Sequence, residues 1–78
     1  MKLNPTKLIN ARHRRAMTQV KLAKAAGVSV VTLYKAESGA DVYPDTAKKL
    51  CDFLGLNLAD TVVPIEEPAV RGGNGDGA

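Results

Sequence analysis

The sequence predicts an all-α fold, a compact five-helix bundle followed by a disordered tail. Three observations predict it. Helix openings and endings recur at short intervals: Asn4-Pro5, Thr18, Ser29, Pro44 and Asn57 suit starts, and Gly27, Gly39 and Gly55 suit stops. Between them, apolar residues repeat with the period of a helix. Ala47, Leu50, Cys51 and Leu54, at i, i+3, i+4 and i+7, are the plainest case. Finally, a chain of 78 residues with one cysteine makes one domain with a small core, and a helical bundle is the economical way to build it.

Each element has its own local reason. Asn4 caps the first helix and Pro5 occupies its first turn. That helix is expected to run to about Ala16, with Leu8, Ile9, Ala11, Arg12 and Ala16 on one stripe and Met17 packing inward at its end. Thr18 opens a second helix reaching about Ala25, with Leu22, Ala23 and Ala26 buried and Lys21 and Lys24 outside. Ser29 caps a third, reaching about Ser38; Val28 and Leu33 face the core, Ala36 permits close approach, and Gly39 ends it. After the loop at residues 40–43, Pro44 starts a fourth helix with Asp45 in its first turn, where negative charge favours the helix dipole, and Gly55 stops it. Leu56 leads to a short fifth helix capped by Asn57, with Asp60 completing a weak capping box and Leu58 and Val62 docking it. A strand from Leu58 to Ile65, pairing across a dimer, is the alternative, since Val62, Val63 and Ile65 favour that conformation. Residues 1–63 are thus expected to form the domain and residues 64–78, rich in Gly and Pro without periodicity, a flexible tail.

Charge is divided along the chain. Residues 1 to 36 hold eight basic side chains and no acid, and all eight acids lie from Glu37 onward, within a net charge of +3. Such a polarised domain presents a positive face suited to a polyanion. Other chemistries lack residues. Cys51 has no partner for a disulfide and no Cys/His cluster has metal-ligand spacing. His13 stands alone, Asp52 and Asp60 have no partner arrangement for acid–base work, and no nucleophile set or phosphate-cradling glycine loop is visible. No enzyme, cofactor or metal is expected. Nothing in the N-terminal MKLNPTKLIN or later is apolar for long enough to be a signal peptide or membrane span, so a cytoplasmic protein is expected.

The segment Gln19 to Ser38 carries the sharpest signal. Ala23 offers a small side chain where two helices cross, Gly27 tolerates the positive φ of a tight turn, and Leu33 anchors the second helix back on the first. This is a helix-turn-helix spacing. With Thr18-Gln19, Leu22-Ala23, Gly27-Val28, Leu33, Glu37 to Gly39 and Leu54 to Leu56 at matching intervals, residues 5 to 62 resemble the lambda-repressor-like, or Cro-type, helix-turn-helix family.

The resemblance implies a bundle that binds double-stranded DNA, as a homodimer on a palindromic operator, and a transcriptional regulator, in the first instance a repressor. It implies that Gln19 bridges a phosphate and the base-reading side chains, and that bases are read from Ser29, Val30, Val31, Thr32, Tyr34 and Lys35. It also pairs Arg12 with Glu37 as a structural ion pair. Ser29 is a cap first and a phosphate donor second; Tyr34 either meets the backbone or is half-buried; Lys35 either reads guanine or meets phosphate. Arg14, Arg15, Lys21 and Lys24 are peripheral phosphate contacts or solvated charges.

Two departures stand out. Val30 and Val31 replace the polar residues common at those positions; valine cannot hydrogen-bond a base edge but packs on the C5-methyl of thymine, or else faces a protein partner. The loop after the third helix holds Ala40, Asp41, Val42 and Tyr43 where relatives often place basic residues, leaving the Tyr43 hydroxyl and backbone N–H groups as donors. An antitoxin-like or other protein-interaction module on the same scaffold is therefore the competing reading, and residues from Leu56 to Ile65 are where dimer contacts are expected.

Overall fold

Four capped turns fix the order of the helices. The computed structural model describes residues 1–64, and these form α1 (Pro5–Arg14), α2 (Gln19–Ala26), α3 (Val30–Glu37), α4 (Pro44–Leu54) and α5 (Leu58–Thr61). Asn4, Thr18, Ser29 and Asn57 each accept a hydrogen bond from the backbone N–H three residues on, at Lys7, Lys21, Thr32 and Asp60. Each removes one orphan donor from a helix start. Tyr43, before Pro44, makes no such bond. Residues 65–78, and with them Ile65 and nearly all of the expected tail, lie outside the described residues.

The helices close on one core. Leu8 and Ala11 of α1, Leu22 and Ala23 of α2, Leu33 and Ala36 of α3, and Ala47, Leu50, Cys51 and Leu54 of α4 are all buried, with Leu58 and Val62 packed against them. The periodic stripe of α4 is buried at each of its four positions. No helix among the described residues is long and apolar enough to cross a membrane.

The end of the first helix differs from expectation. It stops at Arg14, and Ala16 is exposed at φ +53° instead of lying on the buried stripe. The hydrogen bonds explain why. Met17 N–H donates to Arg12 O at 3.3 Å and Ala16 N–H to His13 O at 2.9 Å. The same pair of bonds follows α2 at Gly27, α3 at Gly39 and α4 at Gly55. All four helices end in a Schellman turn, which needs a left-handed residue. Three use glycine; α1 forces an alanine into that region.

The fifth helix forms as expected, and the alternative of a strand from Leu58 does not hold over the described residues. Leu58 to Thr61 are helical, and only Val62 makes an isolated antiparallel bridge, to Leu3 of the same chain. Asn4 N–H donates to Thr61 O and Val63 N–H to Lys2 O, both at 2.8 Å. On its other side the first segment bridges Lys2 to Asp41, and Val42 N–H donates to Met1 O at 2.8 Å. Residues 1–3 thus run between the loop before α4 and the segment after α5, with Leu3 fully buried. The N–H groups of Thr61, Val62 and Val63 and the carbonyl of Thr61 are thus satisfied within the subunit.

Two stability changes follow. Ala16→Gly relieves a left-handed alanine costing about 1–2 kcal/mol and adds back part of that as unfolded-chain entropy, so urea unfolding should show a net gain of about 0.5–1 kcal/mol. Burial pushes the Cys51 thiol above its ordinary value. A raised folded-state pKa contributes stability that is whole below the unfolded thiol's value, about 8.5, and is lost as pH rises beyond it. Between pH 8 and 10 the unfolding free energy of wild type should therefore fall relative to a Cys51→Ala variant; a constant difference between the two would rule out the buried thiol as the cause.

Candidate nucleic-acid interface

Side chains advance about 100° per residue around a helix, and that rotation divides α3 into two arcs. Val30, Leu33, Ala36 and Glu37 share the inner one; Leu33 and Ala36 are fully buried and Glu37 is 8% exposed. Val31 and Lys35 sit at the middle of the outer arc, one turn apart, with Tyr34 and Thr32 on its flanks. Val31 is 57% and Tyr34 46% exposed. The expectation of two adjacent exposed valines is corrected here. Val30 lies in register with Leu33 and Glu37 and is half-buried against the core, so Val31 is the valine that is fully presented.

The inner arc is held by polar bonds as well as by packing. Arg12 of α1 donates from Nε to Glu37 Oε2 at 2.7 Å and from Nη2 to Glu37 Oε1 at 3.1 Å. Its Nη1 donates to Met17 O at 3.1 Å. Gln19 at the start of α2 donates from Nε2 to Glu37 Oε1 at 2.9 Å. Three helices therefore meet on one carboxylate. The side chains of Arg12 and Glu37 are 14% and 5% exposed, so the pair is shielded from water. The link from Gln19 to Glu37 was not visible in the sequence, where 18 residues separate them and neither sits in a shared periodic pattern.

The start of α3 is largely self-satisfied. Ser29 accepts from Thr32 N–H at 3.1 Å and donates its hydroxyl to Thr32 Oγ1 at 2.7 Å. Lys35 is exposed and makes no ion pair among the described residues. An open groove of about 470 Å³ runs beside it, lined by Thr32, Lys35, Tyr43 and Thr46. Tyr43 is 82% exposed. Thr46 received no role in the sequence reading; its place in the first turn after Pro44 is the signal that would have found it.

The flanking basic residues separate into two groups. Lys21 and Lys24 are exposed on α2. Arg15 instead lies over the Phe53 ring, 5.1 Å from its centre, a cation–π contact at the far end of α4. Arg14 lines a second groove with Lys7, Gly55 and Leu56. The start of α4 adjoins Lys35 and Tyr43, and its 11 residues span about 16 Å. Arg14 and Arg15 thus stand at the opposite end of that helix from the exposed face of α3, where Arg15 packs on Phe53.

Glu37→Ala leaves Arg12 buried without its acid and should cost about 3–5 kcal/mol in urea unfolding. The double change Arg12→Met with Glu37→Leu should cost much less, because no charge is stranded. Equal losses in the two proteins would mean that packing, and not the ion pair, is what the site supplies.

A family model described as helix-turn-helix matches residues 8–60, well over half of the chain. No curated protein and no solved structure matches at a significant level.

Proposed function

We propose, since the chain belongs to the lambda-repressor-type helix-turn-helix family of DNA-binding transcription regulators, that it is a repressor reading a specific operator through the major groove with the outer arc of α3. The observation that carries this is the division of α3: its inner arc is locked by the Arg12–Glu37–Gln19 bonds while Val31, Tyr34 and Lys35 remain exposed. A rigid helix with a free outer face is what groove insertion requires.

In this reading, Lys35 meets guanine O6/N7, Tyr34 and Tyr43 meet the sugar-phosphate backbone, and Lys21 and Lys24 meet phosphates at the edge. Gln19 contributes through the amide oxygen that its bond to Glu37 leaves unused, and through helix N–H groups at the start of α2. Ser29 and Thr32 support the first turn of α3 more than they read bases, since their hydroxyls bond each other. Two subunits would engage half-sites about 34–36 Å apart. Leu56, Leu58, Val62 and Val63, apolar and at least partly exposed at the end of the domain, are the proposed dimer surface.

One observation favours a second reading. Val31 and Tyr34 place apolar area on the outer arc, and Asp41 lines the groove beside it, which also suits a protein partner such as a toxin.

Selection of bound duplexes from a random pool should return a two-fold symmetric site. On that site, affinity should fall steeply with salt, with a slope set by the number of phosphates neutralised. Lys35→Ala should cost about 1–3 kcal/mol on the selected site and little on random duplex. Equal loss on both would make Lys35 a phosphate contact, and weak binding to every duplex at all salt concentrations would favour the protein-partner reading.

A further inference from the structure

The groove beside Lys35 carries an uncompensated charge close to where the described chain leaves the domain. Lys35 is exposed and makes no ion pair among the described residues. Asp41, the acid that lines the same groove, is already engaged by the Met1 ammonium at 3.4 Å. The register of the first residues fixes the exit. Leu3 bridges Val62 and Lys2 bridges Asp41, both antiparallel. Residues 62–64 therefore run alongside residues 40–42 and in the same direction, with Met1 between Val42 and Pro64. Two strand spacings separate those residues, about 10 Å. Beyond Val42 the chain enters the groove wall at Tyr43 and Pro44. Beyond Pro64 it continues as Ile65, Glu66, Glu67 and Pro68. Three extended residues span about 10 Å, so both carboxylates come within reach of Lys35.

We propose that the groove lined by Lys35, Tyr43 and Thr46 docks this chain's own acidic pair, Glu66 and Glu67, and that the docked pair competes with nucleic acid for Lys35. Charge, reach and heading all favour this occupant. Two adjacent acids meet an unpaired lysine, and the hydroxyls of Tyr43 and Thr46 are hydrogen-bond donors for the remaining carboxylate oxygens. Tethering raises the local concentration of the acids to about the millimolar range, which a free acidic ligand at ordinary concentration does not match. A duplex that engages Lys35 must first displace the carboxylates. The docking stands apart from the DNA-binding reading above, and the competition rests on it.

The test uses the full chain. Without DNA, a carbodiimide joins carboxylates to amines that are in contact, and the products are mapped by digestion and mass spectrometry. An amide between Lys35 and Glu66 or Glu67 should form, and high salt should suppress it. Mixing isotopically light and heavy protein should place that amide within one chain. On the operator obtained by selection, the double variant Glu66→Gln with Glu67→Gln should bind about fivefold more tightly than wild type at low salt. The gain should vanish in a Lys35→Ala background, which separates the contact from a general loss of negative charge.

Coupling of the two glutamates only to other lysines, coupling between copies, or no coupling at all would overturn the docking. A gain of equal size with and without Lys35, or no gain, would overturn the competition. Failure to select any duplex sinks the DNA-binding reading and the competition with it, while the coupling pattern still decides the docking.

Discussion

Three N–H donors from two other helices converge on the buried carboxylate that ends α3, and the arrangement of the domain depends on that meeting. Glu37 receives the Arg12 guanidinium through a two-point fork and the Gln19 amide through a third bond. A carboxylate removed from water costs several kcal/mol unless it is fully partnered, and a planar fork restores that loss only in a narrow range of geometries. The interaction therefore sets the rotation of α3 as well as holding it. Turning the helix by one residue, about 100°, would withdraw Glu37 from its donors and carry Val31 off the outer face. The identity of the exposed side chains is a consequence of where one acid is satisfied.

The same interaction shapes the electrostatics. Glu37 is the first acid in the chain, and it is consumed inside the bundle by Arg12. The surface formed by residues before Asp41 consequently carries no negative side chain, while every basic side chain there except Arg12 is exposed. Not all of that positive charge is aimed at one place. Lys7 donates to Asp60 O at 2.8 Å and Arg15 rests on Phe53, both away from α3. Lys21, Lys24 and Lys35 remain on the two helices of the turn motif. The field is broad enough to attract a polyanion, but few basic side chains gather on the turn motif itself.

A short backbone pairing completes the domain. Residues 1–3 lie between residues 41–42 and 62–63, hydrogen-bonded on both sides, and Leu3 plugs the core. The loop leading to Tyr43 has no cap bond of its own at the start of α4, so this pairing is what holds it beside the outer face. One element thus ties the loop nearest the groove to the apolar segment after α5.

Much of the fold was legible because its signals are local. Asn4, Thr18, Ser29 and Asn57 act within three residues of themselves, and the α4 stripe needs only one helical period to be read. The turn at Gly27 adopts φ +80° with nothing within 4 Å of where a Cβ would lie, so the glycine answers to backbone conformation alone, as its spacing implied. The left-handed Ala16 was not legible: alanine carries no sign of such a φ, and only the need to bring Thr18 round to open α2 imposes it. Leu3 was missed because an isolated leucine before a helix has no periodic neighbours, and its partners lie near 42 and 62.

The candidate site divides along the same line. Sequence alone determined the motif spacing, the polarity of charge, and the list of side chains that α3 could present. Only tertiary structure decided which of them it does present: Val30 inward and Val31 outward, Gln19 bound to Glu37, Arg14 and Arg15 drawn to the far end of α4. The reason is physical. Caps, turns and stripes are fixed by interactions within one or two turns of chain, whereas the rotation of a helix and the partner of a long charged side chain are fixed by groups that sequence separation conceals.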